Sequence, residues 1–277
     1  MQNLQQMAER TTILRVVVGS TLHGLNVQDG MEDRDEMGVC VEDIQHVVGL
    51  SQFEQVVYRT AAEREQKHNA RNSAGDLDLV IYSLRKYLRL ALGGNPTILN
   101  LLFAPRDKIV VSNALGFGLM ELAPDIISKK AGRAFLGYCQ AQRQRLLGER
   151  GQRDINRPEL VEKYGFDTKY AMHMLRLGFQ GVELLKTGRV SCPMQEPERS
   201  WLLGVRTGKA TLQECLTKAG ELDQELKDLL ETSPLPDEPN TEKVESWMVN
   251  VYLQQWKARD LRYKLENGRL VPEGATT

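Results

Sequence analysis

Short apolar runs separated by polar turns fill the first hundred or so residues, and longer stretches with apolar residues every three or four positions fill the rest. Runs rich in Val, Ile or Tyr predict strands over residues 13–18, 37–41, 55–59 and 77–82. Residues 83–92 follow with Leu84, Tyr87, Leu88, Ala91 and Leu92 on one helical face, and Gly93-Gly94 stops that helix. Asn95-Pro96 opens another helix through residue 103, because proline is tolerated in a first turn. Beyond Pro105 the spacing predicts helices over residues 129–149, 168–186, 212–231 and 242–260, the second ended by Gly188. Residues 151–158 read as a polar loop, residues 233–240 as a proline-rich loop crossing the surface, and residues 272–277 as a frayed tail. The fold class is therefore α+β, a short mixed sheet with helices over residues 1–110, followed by an all-helical domain over residues 111–277.

Composition narrows the class of protein. A chain of 277 residues with 26% charged residues and a net charge of −1 is ordinary for a globular protein and argues against a uniformly basic coat for nucleic acid. No segment reaches the ~18 unbroken apolar residues of a membrane span, and the polar start lacks the apolar centre of a signal peptide, so the expected location is the cytoplasm. Cys40, Cys139, Cys192 and Cys215 are widely spaced, which fits reduced structural thiols better than a zinc set. Charge is nevertheless uneven. Residues 128–190 hold thirteen Lys/Arg against six Asp/Glu, so the middle of the chain is where an anion would sit. Trp201, Trp247 and Trp256 fall at helical apolar positions and read as core.

The chemistry concentrates near the N-terminus. The first predicted strand ends in Gly19-Ser20, and after a gap comes Asp33-Arg34-Asp35 leading into the second. Side chains alternate faces along a strand, so Asp33 and Asp35 share one. Two carboxylates about 4 Å apart repel by roughly 4 kcal/mol at an effective dielectric near 20, so a pair of this kind needs a proton or a cation. Magnesium, a hard cation suited to carboxylate and phosphate oxygens, is the expected guest, with manganese as its substitute.

A Gly-Ser turn after a strand, then Asp-x-Asp on the next, resembles the working edge of the DNA polymerase β-like nucleotidyltransferases. The likeness narrows to a predicted bacterial and phage group that includes the YcgL-like family. It is carried by Gly19-Ser20-Thr21-Leu22-His23-Gly24, by Asp33 to Val39, by Asp78 to Lys86, by Gly94 to Leu99 and by Lys163 to His173. It departs at Glu32 and at His23, neither of them a metal ligand.

The resemblance implies transfer of a nucleoside monophosphate from an NTP, ATP among the choices, to an acceptor that is RNA, protein or a small molecule, with release of pyrophosphate. It implies Mg2+ or Mn2+ held by Asp33, Asp35 and a third acid, assigned to Asp78 with Asp76 as competitor. Gly19 allows close backbone approach, and the Ser20 hydroxyl with neighbouring amides is suited to a phosphate oxygen. Lys169, His173 and Arg176 recur at i, i+4 and i+7 on one helix face, which the family likeness places over the triphosphate. Lys86 follows the last predicted strand closely enough to meet phosphate, and Arg85, Arg59 and Arg64 are the other basic side chains weighed for that role. Two other functions remain open from sequence: a catalytically silent nucleotide- or RNA-binding module, and a toxin- or defence-type transferase acting on tRNA or protein.

Overall fold

A computed structural model describes residues 2–27, 34–65, 75–149, 157–258, 263–266 and 269–272. Asp33 and residues 151–156, parts of two sequence predictions, lie outside the described residues, as do residues 273–277 of the tail. The chain runs through β1 (Thr12–Val17), a short helix α1 (Gly19–His23), β2 (Arg34–Cys40), β3 (Gln55–Arg59), β4 (Leu77–Ser83) and α2 (Leu84–Leu92). Three strands were not anticipated: β5 (Ile109–Ser112), the fifth of the main sheet, and an antiparallel pair, Tyr263–Glu266 with Arg269–Pro272, which departs from the all-helical expectation for residues 111–277; four residues each are too few to show a period. The sheet order is β3-β4-β2-β1-β5.

The sheet is mixed, as expected. β1 pairs antiparallel with β2 and with β5, β3 antiparallel with β4, and β2 parallel with β4. Leu14, Val16, Met37 and Val39 bury on one face against the main core, while Leu79, Ile81 and Cys40 bury on the other under Met7 and Ala8 of the N-terminal Gln2–Arg10 helix. A sheet covered on both faces explains why its inner strands read as near-continuous apolar runs. Ser83 ends β4 and caps α2, its Oγ accepting from the Lys86 N–H at 3.1 Å.

Helices α3 (Lys129–Leu146), α4 (Thr168–Thr187) and α5 (Leu212–Thr232) pack together beyond the sheet. Each lies close to its predicted span, and α4 and α5 carry clear boundaries: Asp167 accepts from the amides of Lys169 and Tyr170, Gly188 ends α4 at φ 70°, and Thr211 with Glu214 forms a capping box. Gly181 lets α3 and α5 close on α4, since a Cβ there would stand 2.8 Å from Phe135 Cβ. The predicted 151–158 loop gives way at its end to the Pro158–Tyr164 helix, with proline in its first turn. The proline-rich 233–240 stretch is not helical and packs on the start of α3, where the Lys129 N–H donates to Pro236 O.

The last helix, α6 (Thr241–Ala258), returns to the sheet side. Tyr252 donates its hydroxyl proton to Glu42 Oε2 at 2.9 Å, and the same oxygen accepts from the Leu84 N–H. One apolar core runs from β1 and β2 through α2 into α3, α4 and α5. The four cysteines are unpaired thiols, three of them buried, and the three tryptophans are partly buried against this core. No helix among the described residues is long and apolar enough to cross a membrane.

Candidate active site

A cleft of about 600 Å3 separates the β1–β2–β4 edge from α3 and α4. Its sheet side carries Gly19, Ser20, Asp35 and Asp78, and its helical side carries Arg145, Arg157, Lys169, Tyr170, His173 and Arg176. The structure thus gathers seven of the sequence-selected residues around one space.

Strand register builds the acidic wall. Asp35 and Asp78 are direct partners in the parallel β2–β4 ladder, so their side chains leave the sheet on the same face from adjacent strands. Gly19 follows the end of β1, where the Val18 N–H donates to Asp35 O at 2.9 Å, and it adopts φ 69°. A Cβ at Gly19 would collide with the Asp35 carboxylate, so both the conformation and the space demand glycine. The predicted Gly-Ser turn is the start of α1, with Ser20 in its first turn.

The neighbouring acids are committed elsewhere. Glu36 is buried and pairs with Arg15 at 2.9 Å and Arg34 at 2.5 Å. Asp76, the competitor for third acid, accepts from Thr60 Oγ1 at 3.0 Å and Arg64 Nη1 at 2.7 Å, outside the cleft lining. Among the described residues no group of three or more His, Cys, Asp or Glu is placed to hold a metal; Asp35 and Asp78 make two, and Asp33 lies outside that set. Two hard carboxylates on adjacent strands, that of Asp35 against Gly19, fit Mg2+ or Mn2+ in chemistry. Beside them, Arg59 Nε contacts both oxygens of Asp78, at 3.0 and 3.2 Å.

The helical wall is basic in two layers. At its mouth Lys169 and Arg145 are exposed, and Arg157 pairs with Asp167 at 3.2 Å while its guanidinium lies 5.5 Å from the Tyr170 ring centroid. Deeper in, Arg176 is only 9% exposed. Its Nη1 lies 2.6 Å from His23 Nε2 and donates to Gln180 Oε1 at 2.9 Å, and its Nη2 lies 2.8 Å from His173 Nδ1. Burial, then the Arg176 charge, pushes His23 well below the ordinary imidazole range and His173 down to about 3. Both rings are therefore neutral, and because a guanidinium only donates, His23 Nε2 and His173 Nδ1 are the lone-pair nitrogens. Burial lowers Arg176 to about 10, still a cation near neutral pH, and none of these partners carries a compensating negative charge.

Lys86 stands apart from this set. Its ammonium pairs with Glu54 at 3.1 Å on the outer side of α2, where it holds the Glu54 carboxyl below its usual range, and it does not line the cleft. Sequence reading also passed over Asn100 and Gln142, buried cleft residues whose Oδ1 and Oε1 have no hydrogen-bond partner. His23 was noticed only as a departure from a motif. Nothing local to residue 23 signals a guanidinium from residue 176.

Residues 1–250 match the family described as RNA repair pathway DNA polymerase beta family, RlaP. The match carries no reference to the YcgL-like group. Among solved structures, the chain is similar to spectinomycin adenyltransferase AAD(9) from Enterococcus faecialis, determined with ATP and spectinomycin, at 13% identity over 82% of this chain and 96% of that one, with a TM-score of 0.40. It is also similar to a nucleotidyltransferase-like protein from Exiguobacterium sibiricum 255-15, at 10% identity over 97% of this chain and 95% of that one, with a TM-score of 0.28. No curated protein matches the chain.

Proposed function

Because the chain belongs to the RNA repair pathway DNA polymerase beta family, we propose that it transfers a nucleoside monophosphate from an NTP to a hydroxyl acceptor on RNA and releases pyrophosphate. The observation that carries this reading is one cleft with opposite walls: paired Asp35 and Asp78 on one side, and on the other a buried Arg176 whose partners are all neutral. Burying a cation without a counter-ion costs several kcal/mol, a cost that an anionic ligand in the cleft would offset. The YcgL-like likeness adds a finer grouping to this reading and no substrate.

In this assignment residues 1–110 supply the acids and residues 111–277 cover the nucleotide. Asp35 and Asp78, with Asp33 two positions before Asp35 in the sequence, would hold Mg2+ or Mn2+. The bound metal would supply positive charge to the triphosphate and lower the pKa of the acceptor hydroxyl. Gly19 keeps the Asp35 carboxylate free of steric obstruction, and Ser20 with the adjacent backbone faces the phosphates. Arg176 takes a buried phosphate oxygen, its fork oriented by His23, His173 and Gln180. Lys169, with Arg145 and Arg157, attracts the triphosphate at the mouth. Lys86 has no part in this assignment.

The test is incubation of the purified chain with each labelled NTP, ATP first, with magnesium and an RNA ending in a free hydroxyl. Label should enter RNA only with metal present. Label in protein instead would favour the toxin- or defence-type transferase, and metal-independent RNA binding without transfer would favour the silent module.

A further inference from the structure

Three residues stand in a row across three strands. Arg59 on β3 is the direct partner of Asp78 on β4, and Asp78 is the direct partner of Asp35 on β2. Directly paired residues project from the same face, so the row reads cation, acid, acid. Arg59 ends its strand, and the next residue, Thr60, accepts from the Leu77 N–H at 2.7 Å, which fixes the backbone beside Asp78. Neither member of the pair is buried: the Arg59 and Asp78 side chains are 27% and 26% exposed.

We propose that Arg59 is the resident counter-cation of this acid row, holding Asp78 while no metal is bound and yielding the carboxylate when a divalent cation arrives. The proposal rests on the metal-site reading given above and adds a residue to it. Asp35 and Asp78 repel each other, and the Arg59 guanidinium occupies the position from which positive charge relieves that repulsion. Arg59 Nε meets both Asp78 oxygens, so a metal cannot gain full use of that carboxylate while the contact lasts. A partly exposed ion pair of this kind is worth at most about fivefold in an equilibrium, little enough for a divalent cation to replace. Arg59 therefore keeps Asp78 oriented at small cost to metal affinity.

Mn2+ binding to the full chain, followed by electron paramagnetic resonance without nucleotide, tests this directly. R59Q should bind Mn2+ up to about fivefold more tightly than wild type, and should melt at a lower temperature in chelator but not in excess Mn2+. R64Q removes the same charge from the nearby Asp76 pair and should leave Mn2+ affinity within about twofold of wild type. In chelator, R59Q should lower the melting temperature of wild type but not that of D78N, since the pair is already lost there. Unchanged or weaker Mn2+ binding by R59Q, an equal gain in R64Q, or an equal melting loss in D78N overturns the proposal. Wild type that binds no Mn2+ at millimolar concentration overturns the metal-site reading itself, and the counter-cation role with it.

Discussion

Gly19 and Asp35 meet where β1 ends, and the carboxylate of the second occupies the space that a side chain on the first would need. Gly19→Ala therefore carries two penalties, a left-handed backbone at φ 69° and a clash with Asp35. The expected result is a loss of about 1–2 kcal/mol of stability with a fall in transfer rate of at least about a hundredfold, because Asp35 must move. Denaturant melts and single-turnover rates check both parts.

Asp35→Asn should leave the fold intact and abolish turnover. Without metal it should match or exceed wild type in melting temperature, since it removes repulsion with Asp78. NTP should stabilise wild type only when Mg2+ or Mn2+ is present, and EDTA should erase the shift. A variant with near wild-type transfer would sink the metal assignment.

Lys169 and Arg176 belong to one helix face and differ in depth, so their substitutions should separate. Lys169→Ala removes an exposed charge and should raise the apparent KM for NTP by about three- to tenfold with kcat and melting temperature little changed. Arg176→Lys keeps the charge and loses the planar fork that meets His23, His173 and Gln180. It should lower both kcat/KM and melting temperature.

Stability should depend on pH through two groups of opposite sign. His173 is held at about 3 in the fold against 6.5 when unfolded, by burial first and Arg176 second, so its contribution is full above pH 6.5 and is lost as pH falls toward 3. Burial raises Glu42 above 4.5, so its contribution is full below that value and is lost as pH rises through the raised folded pKa. Melting temperature against pH should flatten on the acid side in His173→Gln and on the opposite side in Glu42→Gln. Parallel curves for all three proteins would refute both assignments.

Gln142 Oε1 is buried in the cleft wall without a partner, and such a group costs about 1–3 kcal/mol. Gln142→Met keeps the shape and removes that acceptor, so it should raise the melting temperature of the ligand-free chain. A fall would mean that the amide is satisfied in solution.

The amino-acid sequence alone determined what lies within one segment. Val- and Ile-rich runs marked four of the five strands of the main sheet, Gly93-Gly94, Asn95-Pro96 and Gly188 marked helix ends, and the Gly19-Ser20 and Asp33-Arg34-Asp35 spacing picked out Gly19, Ser20 and Asp35, which line the cleft. Period, cap and turn signals are set by neighbours in the chain, so they survive without the fold. The third position in the acid row was different. Asp78 was assigned with Asp76 as its competitor, and only the parallel register of β4 on β2 sets Asp78 beside Asp35 while Arg64 and Thr60 take Asp76. Lys86 has the right charge near the right strand, yet the direction of α2 gives it to Glu54. His23 and Arg176 are separated by 153 positions, and only packing of α4 against α1 brings them within 2.6 Å. Tertiary structure decides such contacts because strand order, register and helix packing bring together residues whose local patterns carry no record of one another.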